Sequence, residues 1–97
     1  MSERIEYLAK SNAAYYVLYT LYQASNEKDW MALKDLEKTC GIDIPSMVLD
    51  EILTRFEDWG FVKSKSAPGR HGYVITEKGS KTFELYKQLL NVVKTKI

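Results

Sequence analysis

The chain has 97 residues, 45% apolar and 28% charged, which suits one small folded domain spanning 1–97 and excludes a disordered chain. It contains no run of about 18 apolar residues, so neither a membrane span nor a membrane partner is expected, and the charged start Met1-Ser2-Glu3-Arg4-Ile5-Glu6 has no signal region, so a cytoplasmic location is expected. The net charge of +1 conceals a division: residues 1–60 hold six basic and eleven acidic side chains, and residues 61–97 hold eight and two. Such asymmetry points to a polyanion partner for the basic half, although a charged helix face is ordinarily just solvated.

Residues 3–25 read as helix, with Ser11 or Asn12 able to cap a break. Between Ala13 and Ala24 the apolar residues almost encircle it. Ala14, Leu18 and Leu21 make one stripe, and Tyr15, Tyr19 and Tyr22 another. A helix apolar on most sides is buried on most sides, so the tyrosine face is expected to meet a partner subunit. A base-stacking platform is the alternative use of these rings.

After the polar run Ser25–Asp29, Leu33, Leu36 and Cys40 fall at helical spacing in a short helix over 31–40, and Gly41 suits its end. Cys40 is expected as a buried small hydrophobe, with an intersubunit disulfide as the alternative. Ile42–Ser46 is a tight turn, and Pro45 is placed in the first turn of the next helix. Asp43 or Ser46 caps that helix. It runs to about Trp59 on the buried stripe Leu49, Ile52, Leu53 and Phe56, and Gly60 stops it.

Phe61–Lys65 alternates as a strand, Ser66–Gly72 is dense in turn formers, and Tyr73-Val74-Ile75 is a return strand. Thr76 caps a last helix over 77–95, with Glu77 in its first turn, while Gly79 is read as weakening that start by about 1 kcal/mol. Phe83, Tyr86, Leu90, Val93 and Ile97 form one stripe of it, and Leu85, Leu89 and Val92 a second.

The expected fold is therefore mainly α with a β-hairpin (α+β), in the order α-α-turn-α-β-β-α. The helix-turn-helix occupies 31–59, the hairpin or wing 61–76, and a C-terminal dimerisation helix 77–95. Leu53-Thr54-Arg55-Phe56-Glu57-Asp58-Trp59-Gly60-Phe61-Val62 resembles the L-x-x-L-x-x-x-G-apolar-apolar segment of MarR- and PadR-like regulators. Tyr73-Val74-Ile75-Thr76-Glu77-Lys78-Gly79 resembles their Y-x-[LI]-T-x-K-G signature. The resemblance covers roughly residues 13–90 and is nearest to small archaeal, viral and plasmid-encoded members. It implies a winged helix-turn-helix, dimeric through its terminal helices, that regulates transcription. PadR-like members usually carry Tyr in the middle of the third helix, where this chain has Asp50.

Double-stranded DNA and a second copy of the chain are the expected partners, with another protein as the alternative. The candidate DNA contacts are Ser46, Met47, Thr54 and Arg55 on the third helix. On the wing they are Lys63, Lys65, Ser66, Arg70 and His71, where no acid lies between Phe61 and Thr76. Arg70 near the tip suits a narrow minor groove; a solvated hairpin whose lysines blunt a sheet edge is the plainer reading. Asp50 and Glu51 among the groove-facing positions argue for a shallow helix seat, although a carboxylate can accept from cytosine N4. The candidate dimer contacts are Tyr15, Tyr19, Tyr22, Tyr86, Leu89, Leu90 and Val93, which would bury surplus faces of the first and last helices. One cysteine and one histidine make no metal set, no nucleophile–base pair is visible, and no phosphate loop is present. No enzymatic activity, catalytic residue, metal or cofactor is expected.

Overall fold

Ser11 divides the N-terminal helical stretch into α1 (Ser2–Lys10) and α2 (Asn12–Ser25). Its hydroxyl accepts a hydrogen bond from the Ala14 amide at 3.1 Å, so Ser11 rather than Asn12 caps the second helix. The computed structural model describes the backbone of residues 2–25, 30–40 and 44–96 and the side chains of 6–25, 30–40 and 44–90. The remaining elements are β1 (Met31–Ala32), α3 (Leu33–Cys40), α4 (Ser46–Asp58), β2 (Val62–Ala67), β3 (Arg70–Ile75) and α5 (Glu77–Lys96). Among the described residues these make a mixed α+β domain of five helices and one three-stranded antiparallel sheet, ordered β1-β3-β2.

The hairpin strands reach nearer the tip than expected, β2 running to Ala67 and β3 starting at Arg70, so the turn is shorter than 66–72, and three other features differ from the sequence expectation. The helix expected over 31–40 starts at Leu33, because Met31 and Ala32 pair with Tyr73 and Gly72 as a third strand. Two residues are too short to show an alternating pattern, so nothing local marks them as β. Pro45 is not in the first turn of α4 but just before it, at φ −59° and ψ 148°, where its carbonyl accepts from the Leu49 amide at 3.0 Å. Among the described residues no side chain caps α4, and Ser46 is already helical. Gly41 and Asp43 lie outside the described residues. Finally, Gly79 is more than a weak point in a helix. A Cβ there would overlap the Phe61 carbonyl and come within 2.8 Å of the Ile75 side chain, so its absence lets α5 start against the hairpin base.

α4 ends in a Schellman closure. The Phe61 amide donates to the Phe56 carbonyl at 2.8 Å, and the Gly60 amide to the Glu57 carbonyl at 3.0 Å. The accompanying apolar contact is Phe56 with Phe61, ring centroids 5.9 Å apart. Thr76 then ties the hairpin's far end to the same point: its amide donates to the Phe61 carbonyl at 2.8 Å, and its hydroxyl donates to the Gly60 carbonyl at 2.6 Å with the Phe61 carbonyl at 3.0 Å. The Thr76 hydroxyl also accepts from the Gly79 amide at 3.1 Å, which caps α5 as expected.

The core joins all five helices to the base of the sheet. Leu8, Val17, Leu18, Leu36, Leu53 and Phe83 have essentially no exposed surface. Cys40 belongs to this core; its thiol donates to the Thr20 hydroxyl at 3.8 Å, and burial raises its pKa. A thiol so placed is closed to a partner's cysteine, which disposes of the intersubunit disulfide. Among the described residues, no helix is long and apolar enough to cross a membrane.

Candidate nucleic-acid interface

Strand register sorts the hairpin's side chains onto two faces, because alternate residues point to opposite sides. The pair Val62–Ile75 is buried at the base. Ser64–Tyr73 and Ser66–His71 continue that face outward, and the His71 and Tyr73 rings meet edge-on at 5.4 Å. This face turns toward α4: burial first, then the Glu57 and Asp50 carboxylates, raise the pKa of the Tyr73 hydroxyl. The other face carries Lys63 opposite Val74, Lys65 opposite Gly72, and Arg70 opposite Ala67. The three cations are therefore neighbours, all exposed, and His71 and Ser66 stand on the opposite side.

Arg70 is not a free arm. Its guanidinium carbon lies 5.1 Å from the centroid of the Trp30 ring, a cation–π contact worth about 0.5–1 kcal/mol at an exposed site. Trp30 reaches that position because Gly72 has no side chain: a Cβ there would lie 2.7 Å from the indole and would overlap the Met31 carbonyl. An open cleft of about 560 Å³ separates the hairpin tip from the start of α3, lined by Leu33, Lys34, Asp35, Gly69, Arg70 and His71. Lys34 thus joins the wing cations from a different element, which no local pattern reveals.

On α4, Met47, Glu51, Thr54 and Asp58 follow one another along the outermost line at helical spacing. Asp50 and Glu57 flank that line on the hairpin side. Arg55 lies on the opposite flank, toward α1, with its guanidinium 5.2 Å from the Tyr7 ring centroid and 3.4 Å from the Glu51 carboxylate. Tyr7 in turn packs edge-on against Phe56 and Trp59, at 6.2 and 5.3 Å. Arg55 is thus engaged within the chain rather than extended. The Thr54 hydroxyl also turns inward and donates to the Asp50 carbonyl at 2.9 Å. Of the expected helix contacts, Ser46 and Met47 are exposed, Met47 at 85% of its surface. The open face of α4 is consequently acidic, with four carboxylates and only one guanidinium, itself paired.

The tyrosine face of α2 differs from the expectation of a subunit contact. Tyr15, Tyr19 and Tyr22 all lie against Phe83 of α5 in the same chain, with ring centroids 4.6–6.0 Å apart. Tyr15 also meets Tyr86 at 5.5 Å, and Tyr86 is buried. The Tyr22 hydroxyl donates to Glu84 at 2.7 Å, the hydrogen bond that chiefly raises its pKa. An amphipathic α5 from the same chain satisfies such a face as well as a second copy does. Leu90 packs on the core, whereas Leu85 and Leu89 remain 40% and 45% exposed on the far side of α5. The Val93 side chain lies outside the described residues. Among those described, no group of three or more His, Cys, Asp or Glu side chains could hold a metal ion.

No family model and no curated protein matches the chain. A solved structure does: AF1382 from Archaeoglobus fulgidus superposes with a TM-score of 0.73 over 86% of this chain and 89% of that one, at 18% identity. At that identity the likeness is one of fold.

Proposed function

We propose that the chain is a winged helix of MarR- or PadR-like type that binds duplex DNA chiefly through its hairpin, as a homodimer. The carrying observation is the face of Lys63, Lys65 and Arg70: three exposed cations with no ion pair among the described residues, on a hairpin without an acid. Phosphate contacts of this kind fix position and supply affinity, while carrying little sequence information. The order α3, turn, α4, hairpin supports the winged-helix reading, and the acidic face of α4 supports a shallow seat for that helix. The exposed pair Leu85 and Leu89 supports dimerisation through α5. Transcriptional regulation is the leading role; a partition or architectural adaptor of plasmid or virus type shares the same chemistry.

A second reading is favoured by Met47, exposed at the N-terminal end of an acidic helix face: a protein-docking module without DNA binding. Titration of a random duplex at about 50 and 200 mM salt separates the two. Two hairpins contributing about six phosphate contacts predict a loss of affinity on the order of a thousandfold between those salts. Absent binding, or binding indifferent to salt, would leave the docking module standing.

A further inference from the structure

The acidic face of α4 and the basic face of the hairpin do not neutralise each other within one chain. The ion pairs at described residues are Glu6–Lys10, Glu51–Arg55 and Glu77–Lys81, each inside a single helix. Strand register explains the failure: the hairpin face turned toward α4 carries Ser64, Ser66, His71 and Tyr73, and the lysines and Arg70 point the other way. Each molecule therefore presents two open surfaces of opposite sign.

We propose that, away from DNA, the outer face of α4 in one copy docks on the Lys63/Lys65/Arg70 face of the hairpin in a second copy. Charge complementarity identifies the occupant: among the described side chains of residues 1–60 the cations outside an ion pair are Lys34 and Lys38, against three on the hairpin face. The two surfaces also match in length. Thirteen residues of α4 at about 1.5 Å each make roughly 20 Å, and six residues of β2 at about 3.3 Å each make roughly 20 Å. Met47 sits on the α4 face as an exposed apolar group, and the aliphatic stems of Lys63 and Lys65 offer it a surface to cover. Such a contact is heterologous: each copy that uses its helix still has a free hairpin, so copies add head to tail. It is distinct from any pairing through α5. DNA phosphates compete for the same cations, so duplex dissolves the assembly. That last feature alone rests on the proposed DNA binding.

Sedimentation velocity on the full chain without DNA tests the inference. At about 20 mM salt the mean mass should climb with concentration to about twice or more its value at 1 M salt, where charges are screened beyond about 3 Å. The variant Asp50→Lys/Glu57→Lys/Asp58→Lys should lose the climb, and so should Lys63→Glu/Lys65→Glu/Arg70→Glu. A one-to-one mixture of the two should restore it, since each supplies the sign the other lacks. Asp50→Asn/Glu57→Gln/Asp58→Asn, which adds no charge, should weaken it and covers the case of a charge-reversed variant that fails to fold. A mass indifferent to salt, or a climb that survives in either folded reversal variant, overturns the proposal and places self-association on the apolar side of α5. A folded mixture that stays at the mass of its parts overturns it as well. Random duplex binding is measured separately: a chain that assembles but ignores DNA keeps this interface and loses the proposed function, and the converse result loses only this interface.

Discussion

The exposed faces of α4 and of the hairpin are about equally long and follow one another directly in the chain, yet they carry opposite charge. In the proposed winged-helix reading α4 is the helix that would meet a groove, and by chemistry it is the described element least suited to a polyanion. Magnitudes show how both can sit near one duplex. A carboxylate about 10 Å from a phosphate is repelled by roughly 0.4 kcal/mol in water, and by less once salt screens it. In the proposed homodimer eight such groups oppose binding by about 1 kcal/mol, or roughly tenfold, at 0.1 M salt, where a Debye length of about 10 Å cuts each term to about a third, whereas about six phosphate contacts would shift affinity about a thousandfold over a modest change of salt. A motif's name therefore does not locate its affinity; unpaired charge and register do.

The comparison breaks most directly at the hairpin. Lys63→Ala/Lys65→Ala/Arg70→Ala should reduce duplex affinity by at least a hundredfold at low salt, and should lower the salt slope by roughly 1 for each phosphate no longer neutralised. Fluorescence anisotropy at several salts reads both quantities, and full affinity in the folded triple variant would remove the hairpin from the interface. Next in size is the loss of one of two hairpins. Leu85→Glu/Leu89→Glu should shift the chain to monomer in light scattering and weaken DNA binding by tens of fold, since the second half-site is no longer tethered. A dimer that persists would locate the pairing surface away from α5.

Smaller effects sharpen the helix side. Asp50→Ala/Glu51→Ala should raise non-specific affinity a few fold, because two repulsive charges leave the phosphate field and Arg55 loses its partner. A fall in affinity with collapsed sequence preference would make these carboxylates base readers. Arg55→Ala should change affinity least, under about twofold, since its guanidinium is already held by Glu51 and Tyr7. Because that pair is exposed, thermal melting should show a loss of at most about 1 kcal/mol.

What was legible in the sequence is local chemistry. Ser11 and Thr76 cap helices through hydrogen bonds three residues away, and Gly60 stops α4 through a closure five residues long, so each is written in a short window. The alternation of Phe61 to Lys65 likewise announces a strand. What escaped depends on distant residues. β1 exists only because Met31 and Ala32 find Tyr73 and Gly72. Trp30 holds Arg70 only because Gly72, far along the chain, leaves room. The engagement of Arg55 depends on Tyr7, in a helix whose periodicity says nothing of α4. The tyrosine face shows the same limit from the other side: an apolar stripe declares that it is covered, never by which element. A surplus stripe in a short chain invites a dimer, and here Phe83 answers it first.

The hydrogen-bonded node at Phe61 and Thr76 has a mechanical consequence. The hairpin is a lever about 20 Å long from this fulcrum to its tip. A tilt of about 5° at the base moves the tip by just under about 2 Å, enough to break a hydrogen bond that tolerates only a few tenths of an ångström. Two features limit the swing: Gly79 lets α5 clamp the fulcrum, and Trp30 braces the arm at Gly72, well outside it. Aim at the tip is thereby set by residues that need never touch a ligand, and a side chain added at position 79 would misdirect Arg70 from the opposite end of the arm.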